Sequence, residues 1–156
     1  MDVAHSRVLG YLGRALSLEL SAVQQYMTQA CLVEIWGDMP ASDRFRQESV
    51  EEMRHAERLM QHMLSLGVAP AASLLKPFSH APNLAGLLRL DAALEADLIQ
   101  HYAEAVRFCA LIGDAESEAF FRTLWIEEQH HGENLAAWIH ELGAVGRHRE
   151  RQRASF

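Results

Sequence analysis

Glu52-Met53-Arg54-His55 and Glu128-Gln129-His130-His131 are two copies of Glu-x-x-His in one chain. Each copy places its glutamate 33 positions after a single glutamate, Glu19 for the first and Glu95 for the second. On an α-helix, positions i and i+3 lie about 60° apart in azimuth and about 4.5 Å apart along the axis. Glu52 and His55 can therefore reach one ion from one helix face, and so can Glu128 and His131. Four carboxylates and two imidazoles, drawn from four helices, are the donor set of a dinuclear metal site inside a helical bundle. A competing pair, Glu127 and His130, has the same internal spacing. The 33-residue interval and the apolar stripe of Phe121, Leu124, Leu135 and Trp138 select Glu128 and His131 instead.

The pattern around these residues is helical throughout. A first helix is predicted from about Ala4 to Trp36, with Leu12, Leu16, Glu19, Val23, Tyr26, Ala30 and Val33 on one stripe. Gly37-Asp38-Met39-Pro40 ends it. Ser42 is placed to cap a second helix that carries Phe45, Glu48, Glu52, His55, Leu59 and Met63 inward and stops at Gly67. Val68 to about Asn83, broken by Pro70, Pro77 and Pro82, is too long for a tight turn. It suits a crossover running the length of the bundle. A third helix spans about Leu84 to Ile112, with Leu87, Asp91, Glu95, Leu98, Tyr102 and Phe108 inward. After Gly113-Asp114 a fourth runs to Leu142, with Gly143 as its expected stop. The expected fold is all-α: a four-helix bundle of two helical hairpins over residues 1–145, then a short irregular or weakly helical basic tail over 146–156.

A chain of 156 residues, 49% hydrophobic, is long enough for one domain with a real core. Its net charge of -7 argues against nucleic acid as a partner. The exception is the tail, where Arg147, Arg149, Arg151 and Arg153 gather around His148; a solvated end is the expected reading. No apolar stretch approaches the roughly 18 residues of a membrane span. No basic-then-apolar leader opens the sequence, and Cys31 and Cys109 are isolated, expected as small buried residues. A reducing cytoplasm is the expected setting. Buried carboxylates on otherwise apolar stripes are costly without a cation, because they repel one another and lose their hydration. Carboxylates that bridge two ions remove that cost.

Glu19-Leu20-Ser21-Ala22-Val23-Gln24-Gln25-Tyr26, Glu52-Met53-Arg54-His55-Ala56 and Glu127-Glu128-Gln129-His130-His131 resemble the ligand segments of the bacterioferritins, and the 43-residue interval from Glu52 to Glu95 matches that family's layout. The resemblance runs from the first helix to about Leu142 and implies a ferritin-like bundle. It implies two iron ions per subunit, bridged by Glu52 and Glu128. Glu19 and Glu95 would be terminal ligands, with His55 on one iron and His131 on the other; manganese or zinc could take the same donors. The implied activity is that of a ferroxidase-type oxidoreductase, oxidising Fe(II) with O2 or H2O2 for iron storage or detoxification. Tyr26 would donate an electron or position a ligand; read from its residue type alone, it is a buried tyrosine satisfying a carboxylate. Met53 would ligate haem b with its symmetry mate across a two-fold dimer interface, within a homo-oligomer of up to 24 subunits. Two departures stand out: Gln47 where some relatives carry an inner-surface histidine, and the Arg-rich tail in place of a pore-forming fifth helix. They leave two alternatives: a non-storage di-iron or di-manganese oxidase or peroxidase, and a structural metal-binding bundle.

Overall fold

The computed structural model describes residues 3–153, and they form four helices: α1 Ser6–Ile35, α2 Met39–Ser65, α3 Leu84–Ile112 and α4 Ala115–Arg153. No strand occurs among them. The ends are chemically marked. His5 Nδ1 accepts from Arg7 N at the start of α1, and Asn83 Oδ1 accepts from Gly86 N at the start of α3. Asp38, rather than Ser42, caps α2 through Ala41 N at 3.0 Å. Pro40 lies in the first turn of α2, where its missing N–H costs nothing. Ser42 is already inside the helix and fully buried. Gly113 ends α3 in the left-handed region, φ 74°, which a side chain rarely adopts.

Gly143 does not stop α4. The helix runs through it and through Gly146 to Arg153. A lone glycine costs a helix only about 1 kcal/mol, and the residues C-terminal to it are largely helix-forming. The arginines also sit at the C-terminal end, where positive charge complements the helix dipole. The basic segment expected as irregular or weakly helical is therefore a solvent-exposed, helical continuation of α4.

α1 packs against α2, and α3 against α4, as two hairpins. Contacts between α1 and α3 set the hairpins together in opposite sense: Gln29 meets Asp91, Tyr26 meets Glu95, and His101 Nε2 meets the carbonyl of Tyr11 at 2.9 Å. The crossover between α2 and α3 runs alongside α1. Ser17 Oγ accepts from Leu74 N, Ser21 Oγ accepts from Lys76 N, and Gln25 exchanges two 3.0 Å bonds with the backbone of Ser79. Ser17, Ser21 and Gln25 recur every four residues, a polar stripe that holds a coil segment against a helix.

The core is drawn from all four helices and includes Leu12, Phe45, Leu59, Leu87, Leu98, Tyr102, Phe121 and Leu124. Cys109 joins it, but Cys31 is exposed, because its position on α1 falls outside the buried stripe. Trp36 is also largely exposed, while Trp138 is buried against Phe45, with ring centroids 5.1 Å apart. No helix is long and apolar enough to cross a membrane among the described residues.

Candidate metal centre

All six predicted ligand residues meet midway along the bundle. Glu19 comes from α1, Glu52 and His55 from α2, Glu95 from α3, and Glu128 and His131 from α4. Glu19, Glu52 and Glu128 are fully buried, and Glu95 is 2% exposed. Donor atoms of Glu52, His55, Glu128 and His131 all lie within 4.8 Å of one another.

The arrangement is crossed. Glu52 turns Oε2 to His55 Nδ1 at 3.2 Å and Oε1 to His131 Nδ1 at 3.0 Å. Glu128 does the same in mirror order, Oε1 to His55 Nδ1 at 2.7 Å and Oε2 to His131 Nδ1 at 3.4 Å. Each of these two carboxylates thus spans both imidazoles. Of the two imidazoles, Glu19 Oε1 approaches that of His55, 3.5 Å from Nδ1. The two rings are nearly parallel, with centroids 5.3 Å apart.

The outer nitrogens are also held. His55 Nε2 meets Glu127 Oε2 at 2.9 Å, and Glu127 is held in turn by Arg58 at 2.6 Å. His131 Nε2 meets Glu51 Oε2 at 2.8 Å. A neutral imidazole that donates its Nε2–H outward to a carboxylate presents the Nδ1 lone pair inward, the orientation a metal needs. Glu127, which mimics the first residue of a Glu-x-x-His, thus orients the histidine of the opposite hairpin. Its mock partner His130 is exposed.

The tyrosines cross as well. Tyr26 donates to Glu95 Oε1, and Tyr102 donates to Glu19 Oε1. Glu19/Glu95, Tyr26/Tyr102, Glu51/Glu127, Glu52/Glu128 and His55/His131 all share one offset of 76 positions. The site therefore has an internal two-fold arrangement that includes more than its candidate ligands. The Tyr102 pairing and the roles of Glu51 and Glu127 are not predicted from sequence, although the repeated Glu-Glu-x-x-His carried the signal.

Electrostatics show what the site demands. Burial, then the charge of Glu52, pushes the Glu19 carboxyl up to about 7. Burial, then Glu52 and Glu128, holds Glu95 well above the usual range. Burial pulls His55 down, but its bonds to Glu128, Glu19 and Glu52 outweigh this and raise it far above a free imidazole. His131 is raised for the same reason, through Glu128 and Glu52. Protons thus stand in for cations among these carboxylates. Even so, Oε2 of Glu19 and Glu95 is buried with no hydrogen-bond partner among the described residues, and Oε2 of Glu128 has no hydrogen bond there beyond its 3.4 Å approach to His131 Nδ1. Orphaned acceptors beside inward Nδ1 atoms fit a pair of divalent cations.

Met53 points away from this centre and is 46% exposed. Val50 on α2 and Met27 on α1 are exposed too, and Arg46 lies 3.6 Å from the Met27 sulfur. Gln47, also on α2, reaches Glu51 at 3.5 Å.

Comparison with known proteins agrees with this architecture. A family model for the ferritin-like domain matches residues 9–145. The bacterioferritin of Rhodobacter capsulatus is 34% identical over 141 residues, covering 90% of this chain and 88% of that protein. That of Brucella melitensis is 31% identical, covering 92% and 89%. A solved structure of Rhodobacter capsulatus bacterioferritin superposes with a TM-score of 0.89 at 31% identity, covering 94% of this chain and 92% of that one. That structure was described with a metal-free dinuclear site and haem iron in a crystallographic special position.

Proposed function

This chain belongs to the ferritin-like family, with bacterioferritins as its homologues, and we propose that it is a ferroxidase taking up Fe(II) for storage or detoxification. The observation that carries the reading is the pair of spanning carboxylates. Glu52 and Glu128 each offer one oxygen toward either histidine, as ligands bridging two ions must. Glu19 and Glu95 would be the terminal ligands, with His55 and His131 completing one ion's shell each. Iron is the substrate: two Fe(II) give one electron each, so that O2 with two protons becomes H2O2, or H2O2 with two protons becomes two waters.

The residues prepare this step. The carboxylates supply hard oxygen donors and neutralise the incoming charge. Glu127 and Glu51 keep the imidazoles in the metal-binding tautomer. Metal entry must displace the protons that His55, His131, Glu19 and Glu95 hold in its absence, so uptake releases protons to solvent.

Met53 fits a haem ligand in one respect: its thioether is outward, where a second copy's Met53 could meet it across a two-fold axis. A haem held there would supply a one-electron relay at the surface of the bundle. The continuous α4 favours a second reading, in which the same centre serves a smaller, non-storage oxidase or peroxidase. In that reading the basic helix end takes the place of the short fifth helix that lines shell pores.

Anaerobic titration with Co(II), then Fe(II) oxidation by O2 or H2O2, tests the centre. The expected result is two ions per subunit, with oxidation lost in Glu52→Ala. Retention of both properties in Glu52→Ala would overturn the site. Light scattering separates a shell of about 24 subunits from a dimer and so decides between storage and the second reading.

A further inference from the structure

Tyr102 stands seven positions after Glu95, as Tyr26 stands seven after Glu19. Its hydroxyl donates to Glu19 Oε1, while that of Tyr26 donates to Glu95 Oε1. Both rings are buried, 0% and 2% exposed. Tyr102 lies 6.3 Å from Phe121, and Tyr26 lies 6.3 Å from Phe45. Each phenol thus has a carboxylate acceptor on its oxygen and apolar packing around its ring. Those are the conditions under which a phenol gives up an electron and a proton together, and in which water is kept from the product.

Electron counting gives the second tyrosine a purpose. Reduction of O2 to two waters takes four electrons and four protons. Two Fe(II) supply two electrons; one tyrosine brings the total to three, and two tyrosines bring it to four. We propose that Tyr102 is a second oxidisable residue of this centre, so that with Tyr26 one pair of Fe(II) reduces O2 to water without releasing peroxide. The inference rests on the ferroxidase reading. In the balanced step two Fe(II) become Fe(III), and each tyrosine loses one electron and one proton to become a neutral phenoxyl. The O–O bond breaks, and two tyrosine protons with two from solvent complete two waters. The tyrosine protons leave along the existing bonds to Glu19 and Glu95.

The test mixes full-length protein, loaded anaerobically with Fe(II), with O2, and freezes it within about a second for electron paramagnetic resonance. Peroxide is measured in parallel. A phenoxyl signal is expected, with hyperfine structure that collapses after growth on β-deuterated tyrosine. It should fall about twofold in Tyr26→Phe and in Tyr102→Phe and vanish in the double variant, where peroxide rises toward about one per O2 consumed. The remaining tyrosine, Tyr11, is controlled by Tyr11→Phe, which should leave the signal unchanged. Signal that survives in Tyr26→Phe and persists when Tyr11 is also replaced belongs to Tyr102, however well Tyr102→Phe itself folds. Complete loss of signal in Tyr26→Phe, with Fe(II) oxidation intact, overturns this inference and leaves the ferroxidase reading standing. Wild-type protein that does not oxidise Fe(II) overturns both.

Discussion

Asp91→Asn should make the metal-free protein more stable at neutral and alkaline pH. Asp91 is fully buried on α3, one turn before Glu95. Gln29 Nε2 donates to its Oδ1 at 2.7 Å, while Asp91 Oδ2 and Gln29 Oε1 have no partner among the described residues. Burial, eased slightly by Gln29, pushes the carboxyl from the ordinary 3.8 up to about 7. A raised carboxyl contributes stability that is fully present below the unfolded value and is lost as pH rises through the folded one. The gap from 3.8 to about 7 corresponds to a ceiling of about 4 kcal/mol. Asparagine keeps the shape, removes the charge, and offers an N–H to Gln29 Oε1. The expected gain is about 2–4 kcal/mol at pH 8 and under about 1 kcal/mol at pH 4. Urea unfolding of chelator-treated protein, followed by circular dichroism at one protein concentration, measures both. A variant no more stable than wild type at pH 8, or equally stabilised at both pH values, would mean that the buried Asp91 charge does not limit stability.

Other outcomes rest on the same geometry. Co(II) affinity should rise with pH between 6 and 8, about tenfold per unit for each proton displaced, because His55, His131, Glu19 and Glu95 all hold protons more tightly than usual; a flat titration contradicts that. Glu127→Ala should weaken metal binding about 10–100-fold through loss of the acceptor on His55 Nε2, and Glu51→Ala should do the same through His131. Calorimetric titration checks both, and unchanged affinity would show that the outer carboxylates orient nothing. Gly143→Ala should raise the melting temperature, with a gain of up to about 1 kcal/mol, since the position is helical and an added Cβ meets only Arg147 Nη1 at 3.5 Å. Destabilisation there would mean that α4 bends or ends at Gly143.

Local spacing was legible in the sequence. Glu-x-x-His places two donors on one face of any α-helix, so Glu52 with His55 and Glu128 with His131 could be paired before the fold was seen. Equal intervals to Glu19 and Glu95, together with the breaks at Gly37, Gly67 and Gly113, marked out two like hairpins. Each of these three glycines has positive φ in the structure. Gly143 misled because a glycine only permits a helix end, and α4 has helix-forming residues on both sides of it. Cys31 misled because small size says little about which side of a helix a residue occupies.

Each helix's own chemistry can thus be read from the order of its residues: its donors, its apolar stripe and its breaks. The tertiary structure alone decided the crossings: Glu127 on His55, Glu51 on His131, Tyr102 on Glu19, and Ser17, Ser21 and Gln25 on the crossover. The physical reason is that helix periodicity is a property of neighbouring residues. Which side chain meets which across the bundle depends on how each helix is rotated and shifted against its partners, and that is set by packing of the whole core.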